Sequence, residues 1–318
     1  MSETKNRGFI TIATGSEKYF LLARNLLYSY RQFSKNPLPF AIITDRENEY
    51  TKEFDDVVAI KDSSYSYMDK LKLYKYIPYD ETIFIDADSL AYQDLNKYWD
   101  YFKDAGDFSC FGQVYDINSK SGWFTIDNLG EYKDKVSFIP NFNGGIYYLR
   151  KKPRCSSVFE KANYFVEHYT NYKFKSYGEP ADEAVLALSM ALHNCKPVDR
   201  YPQSTVFYPI IKKISADIFK QKVTYTTKSK SNENTAILIH WGNYYTTKAL
   251  YRFEVEKLLL MRRGSNLSLL EKTLYIYKLK YSYYKFLDSD LLSFINRGFR
   301  KVFRIVKSKN ALDSNSHK

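Results

Sequence analysis

At 318 residues the chain can bury a sizeable core, as one large domain or as a domain with an appendage. Its 44% hydrophobic and 26% charged residues suit a soluble globular protein, and no run of about 18 apolar residues is present to span a bilayer. The net charge of +12 sits mostly in the tail, where residues 262–309 hold twelve Lys/Arg against three Asp/Glu, so a basic groove for nucleic acid is disfavoured.

The start, Met1 to Arg7, is polar and leads directly into a strand-like run, with no signal-peptide pattern. Gly8 to Ala13 reads as a first buried strand, followed by Thr14-Gly15-Ser16. Tyr19 to Phe33 carries apolar residues at helical spacing, and Pro37 and Pro39 end that helix. Phe40 to Thr44 is a second strand that closes on Asp45. Strand, helix, strand with short links is a βαβ unit, which implies a parallel sheet. Val57 to Ile60 is a short third strand, and Met68 to Ile77 reads as a helix bearing Lys70, Lys72 and Lys75. No Gly-x-Gly-x-x-Gly follows the first strand, so NAD and FAD are not expected.

Thr82 to Ile85 is rich in β-branched and aromatic residues and runs straight into Asp86-Ala87-Asp88. Ligands of open α/β sheets collect at the carboxyl ends of strands. Continued alternation would put both carboxylates on one face, and a turn at Ala87 would also let both reach one cation. Two carboxylates so close repel, and a divalent metal relieves the repulsion. Asp is also common at strand ends for purely structural reasons.

Phe108 to Gly112 resembles another strand, and Asp116 to Lys135 reads as a long loop. In Asn141-Phe-Asn143-Gly144-Gly145-Ile, paired glycines let a backbone pass close to a ligand, while Asn143 offers a donor and an acceptor. The same Asn-Gly pair is also a signal for a turn into an edge strand. Ser156 to Tyr169 is helical in pattern. Asp182-Glu183 open an apolar helix, where acidic residues favour the macrodipole whether or not they do chemistry. Ala236 to Ile239 is a late strand ending in His240-Trp241-Gly242, which makes His240 the best-placed histidine for a metal. Cys110, Cys155 and Cys195 are far apart and odd in number, which points away from a disulfide framework and toward a reducing compartment.

From Tyr251 the pattern is helical. Leu291, Leu292, Ile295, Phe299, Val302, Phe303 and Val306 share a face, with Arg297, Arg300, Lys301, Arg304 and Lys307 around it. That is the signature of an interfacial membrane helix, with a helix packed on its own domain or on a second subunit as the alternative.

The ordered set of Ala13-Thr14-Gly15, Lys70-Leu-Lys-Leu-Tyr, Asp86-Ala-Asp88, Asn141-Phe-Asn143-Gly-Gly-Ile, Asp182-Glu183-Ala-Val-Leu and His240-Trp-Gly242 resembles the GT-A fold nucleotide-sugar glycosyltransferases. The similarity is to the retaining group with glycogenin and the bacterial lipopolysaccharide galactosyl- and glucosyltransferases, and covers roughly residues 8–250. It implies one mostly parallel, Rossmann-like α/β catalytic domain over 1–250 and a basic helical tail over 251–318. It also implies that Asp86, Asp88 and His240 bind Mn²⁺ or Mg²⁺. Thr14, Gly15 and Asp45 would line a uridine pocket, with Lys70, Gly144, Gly242 and Lys248 on the nucleotide sugar. Asn143, Asp182 and Glu183 would face the reacting sugar. Two departures stand out: Asp182-Glu183 where the family often has Asp-Gln, and no Pro-Trp after Lys248.

The expected activity is metal-dependent transfer of a hexose from a UDP-sugar to a glycan or lipid-linked acceptor, with retention, in bacterial surface polysaccharide synthesis. The expected location is the cytoplasm, with the tail on the anionic inner face of the membrane. One alternative is a phosphatase of the haloacid dehalogenase type using Asp86 and Asp88, although such enzymes usually carry the motif on their first strand. The other is a non-catalytic binding or scaffold protein on the same fold.

Overall fold

A computed structural model describes residues 7–175, 180–199 and 204–264, with isolated positions between 268 and 287. The chain divides into two units, Met1–Gly242 and Asn243–Lys318. In chain order the first unit opens with β1 (Arg7–Ala13), α1 (Glu17–Phe33), β2 (Phe40–Thr44), β3 (Asp56–Ala59), the single turn α2 (Leu73–Tyr76) and β4 (Glu81–Ile85). It continues with β5 (Ser89–Ala91), α3 (Lys97–Phe102), β6 (Phe108–Asp116), β7 (Phe138–Arg150), α4 (Pro153–Glu167) and α5 (Asp182–Leu192). The strands β8 (Thr205–Phe207), β9 (Ile211–Asp217), β10 (Lys222–Thr227), β11 (Asn234–Thr235) and β12 (Leu238–His240) complete it.

The main sheet has the order β3-β2-β1-β4-β7-β6. Its first four strands are parallel to one another, while β7 runs antiparallel to both β4 and β6. Strands buried on both faces need continuous apolar runs, and Phe40-Ala-Ile-Ile-Thr is buried throughout. One face packs under α1 and α3, with Phe9 against Tyr30 and Phe102 stacked on Tyr148. The other face takes α4 and α5, where Ile10, Phe84, Phe108 and Leu149 join the apolar residues of both helices. The sheet is therefore sandwiched between helical layers. Because β1, β2 and β4 are parallel, their carboxyl ends open on one edge.

One local reading changes, and one alternative is settled. The expected helix over Met68 to Ile77 is instead a 3₁₀ turn over Tyr67–Lys72 that runs into α2. Asp69 turns inward there and accepts from Ser63 and Ser64, and such local side-chain bonds compete with regular helix. Asn143-Gly144-Gly145 makes no turn. It lies inside β7, between β4 and β6, in the stretch where the β6–β7 register shifts.

A smaller sheet, β5-β12-β8, crosses the site end of the unit, and β11-β10-β9 forms a third. All three cysteines are free and buried. In the second unit α6 spans Ala249–Arg263. The amphipathic stretch 291–306 lies outside the described residues, among which no helix is long and apolar enough to cross a membrane.

Candidate active site

Strand β4 ends at Ile85, and the backbone turns at Ala87-Asp88 before β5 begins in the smaller sheet. The turn brings both carboxylates to one place. Antiparallel pairing of β5 with β12 sets His240 opposite Ser89, and the Trp241 N–H donates to the Asp88 carbonyl at 3.0 Å. As a result His240 Nε2 lies 3.1 Å from Asp88 Oδ1 and 3.5 Å from Asp86 Oδ2. One ligand atom from each of the three residues falls within 4.8 Å of the others.

The set suits a divalent cation on several counts. Asp88 Oδ1 is buried and faces only the His240 ring, at 3.1 Å, an arrangement that is costly unless a cation or proton sits between them. His240 Nδ1 is 2.7 Å from Asn143 Oδ1. An amide oxygen only accepts, so Nδ1 carries the proton and Nε2 can present its lone pair toward the carboxylates. Two carboxylate oxygens and one imidazole form a mixed oxygen and nitrogen set of the kind that holds a divalent cation. Gly145 makes the approach possible, since a Cβ there would stand 2.5 Å from His240 Nδ1.

Lys70, expected near the donor, is buried beside this cluster. Its Nζ donates to Asp86 Oδ2 at 2.8 Å and to the Gly144 carbonyl at 3.2 Å, and lies 3.7 Å from Asp182 Oδ2. Asp182 also accepts from Tyr147 Oη at 3.0 Å, while Glu183 Oε1 accepts from the Gly144 N–H at 3.1 Å. A Cβ on Gly144 would meet Tyr147 Oη, Asp182 and Glu183 together, so only glycine lets the helix start sit this close to β7.

Burial pushes Asp182 up to about 8, with Glu183 and Asp86 adding to the shift and Lys70 opposing it. Burial also raises Asp86, against the pull of Lys70. For Asp88 burial is outweighed by His240, which holds the carboxyl below its ordinary value. His240 is raised in turn, because Asp88 and Asp86 overcome its desolvation.

The other expected residues are placed as follows. Thr14 and Gly15 follow β1, and the Gly15 N–H donates to Asp45 Oδ1 at 3.2 Å. Asp45 Oδ2 pairs with Arg46 at 3.3 Å, and Arg46 also donates to the Gly15 carbonyl at 2.6 Å. Gly242 closes the first unit with φ +74, the left-handed region that glycine adopts freely. Lys248 belongs to the second unit, where it precedes α6 with its ammonium 4.9 Å from the Tyr244 ring centroid.

Tyr147 and Asp69 were not singled out by the sequence. Tyr147 holds Asp182. Asp69 is buried and gathers Ser63, Ser64 and Lys72 around its carboxylate. Nothing in local patterning distinguishes either from a core aromatic or a surface acid.

No protein-family model and no curated protein matches the sequence. Among solved structures, the galactosyltransferase LgtC in complex with donor and acceptor sugar analogues is 15% identical, with a TM-score of 0.50 over 82% of this chain and 97% of that one. Mouse xyloside xylosyltransferase 1 is 13% identical over 76% of this chain and 99% of its own, at a TM-score of 0.46. The likeness to LgtC shows the fold: the chain has the GT-A architecture.

Proposed function

We propose that this protein is a nucleotide-sugar glycosyltransferase that moves a hexose from a UDP-sugar to a glycan or lipid-linked acceptor. The observation that carries the reading is the convergence of Asp86, Asp88 and His240 at the carboxyl end of β4, on a GT-A fold. LgtC, crystallised with donor and acceptor sugar analogues, supports the choice of substrate class.

In this reading Asp86, Asp88 and His240 hold Mn²⁺ or Mg²⁺. When bound, the cation supplies Lewis-acid stabilisation of the charge that develops on the departing diphosphate. Asn143 fixes the His240 ring through Nδ1, and Lys70 holds Asp86 by donating to Oδ2, the oxygen that also lies toward His240. Glu183, anchored by the Gly144 N–H, would face the hexose. Asp182 is buried beside it, held by Tyr147 and near Lys70, and would act on the sugar through those two.

Transfer breaks the bond between the anomeric carbon and the diphosphate oxygen and forms one from that carbon to the acceptor hydroxyl. For the retaining course the acceptor enters on the face the diphosphate leaves, and its proton goes to a leaving-group oxygen. The phosphatase alternative usually carries its motif on the first strand, whereas Asp86 and Asp88 here follow β4, the fourth strand of the chain. A role in bacterial surface polysaccharide synthesis, with the basic tail on the cytoplasmic face of the membrane, rests on the tail's charge.

Hydrolysis of a panel of UDP-hexoses tests the activity. Wild type should release UDP from at least one donor only when Mn²⁺ or Mg²⁺ is added, and Asp88→Asn should lose that release. A fully active Asp88→Asn would remove the metal cluster from the mechanism.

A further inference from the structure

We propose that Tyr65 is the aromatic platform on which the base of the donor nucleotide rests, an assignment that builds on the donor reading above. Strand register sets the direction in which the nucleotide runs. Ala13 pairs with Thr44 in the β1–β2 ladder, so Gly15 and Asp45 share the sheet edge just beyond the strand ends. On its other side β1 pairs with β4, with Ile10 beside Phe84. Gly15 and Asp45 therefore lie about one and two strand spacings, about 5 and 10 Å, outward from the β4 end that carries Asp86. On the opposite side of β4 the space over β7 is taken by Gly144, Asp182, Glu183 and Lys70. A diphosphate held at Asp86 and Asp88 thus sends its nucleoside toward Gly15.

What waits there is an aromatic ring. A Cβ added to Gly15 would stand 3.2 Å from Tyr65 Cδ1, which places the ring directly against the Gly15 backbone. Tyr65 is nonetheless 66% exposed, so most of the ring faces outward and is not a core anchor. Its φ of +55 lies in the left-handed region, uncommon for a bulky residue and often found where a side chain is held for use.

The segment is fixed from below. Asp69 accepts from Ser63 Oγ at 2.7 Å, from the Ser64 N–H at 2.7 Å and from Ser64 Oγ at 2.8 Å, and Ser63 Oγ in turn accepts from the Tyr65 N–H at 3.1 Å. Two residues further on, Tyr67 Oη donates to the Pro180 carbonyl at 2.7 Å, just ahead of Asp182. An exposed ring on a backbone pinned at both ends is preorganised for stacking, and every base offers a π-face to stack on.

The test is calorimetric titration of UDP and, separately, of pyrophosphate, each with Mn²⁺, into wild type, Tyr65→Ala and Tyr65→Phe. Tyr65→Ala should weaken UDP by about tenfold or more while leaving pyrophosphate unchanged, and Tyr65→Phe should recover the UDP affinity. Unchanged UDP binding by Tyr65→Ala overturns the assignment, as does a parallel loss of UDP and pyrophosphate, which would mean that the ring only supports the Gly15 backbone. Wild type that binds pyrophosphate but no UDP overturns the donor reading itself, and the platform with it.

Discussion

At the scale of single residues, the site depends on side chains that hold other side chains. His240 can present Nε2 because the oxygen of Asn143 takes the Nδ1 proton. Removing such an outer partner typically costs about 10–100-fold in metal affinity. Asn143→Ala should therefore weaken Mn²⁺ binding by that factor in an electron paramagnetic resonance titration of free metal, with little change in thermal stability. Equal affinity in the variant would mean that His240 is not a ligand or needs no orientation. Lys70 has a different kind of importance. It is the buried cation among Asp86, Asp182 and the Gly144 carbonyl. Breaking a buried pair leaves an uncompensated charge, so Lys70→Met should cost about 3–5 kcal/mol in urea unfolding. Asp86 and Asp88 were legible in the sequence because strand-end carboxylates form a local pattern. The Asn143–His240 and Lys70–Asp86 contacts join residues 97 and 16 positions apart, and no local pattern records them.

At the scale of elements, two short segments position the site, β7 around its glycines and the turn over residues 63–72. Gly145→Ala would push a methyl group toward His240 Nδ1. It should weaken Mn²⁺ binding at least as much as Asn143→Ala does, as the same spectroscopic titration would show. The 63–72 turn rests on Asp69, and here the sign of the pH effect can be worked out. Burial opposes ionisation of Asp69, yet the Ser64 N–H, the two serine hydroxyls and Lys72 outweigh it and hold the carboxyl below its ordinary value. The unfolded chain then binds the proton more readily than the folded one. The contribution is present above the unfolded value of about 3.9 and fades as pH falls through the lower folded value. Asp69→Ala should cost about 1–3 kcal/mol at pH 7, and the gap to wild type should narrow below about pH 4. A gap that stays constant with pH would mean that the turn is held by packing alone. The βαβ start was legible because β1, α1 and β2 are long and periodic. The strands β5 and β12 have three residues each, too few for any periodicity, and their pairing sets where His240 goes. The paired glycines of β7 read as a close approach or as a turn, and local pattern could not choose, because they answer to α5 and His240, which approach from far along the chain.

At the scale of the whole molecule, a parallel sheet brings the ends of β1, β2 and β4 to one edge, and a small crossing sheet delivers His240 to it. The basic tail adds a separate proposal. Deleting residues 263–318 should release the protein from vesicles rich in anionic lipid, most clearly at low salt. Unchanged sedimentation with vesicles would detach the tail from any membrane role. The central claim is that the edge built by these sheets is a metal-dependent donor site, and calorimetric titration of UDP with and without Mn²⁺ into the full chain tests it most directly. The account predicts binding that requires the metal and is lost in Asp88→Asn. Tight UDP binding that ignores both the metal and the substitution would contradict it.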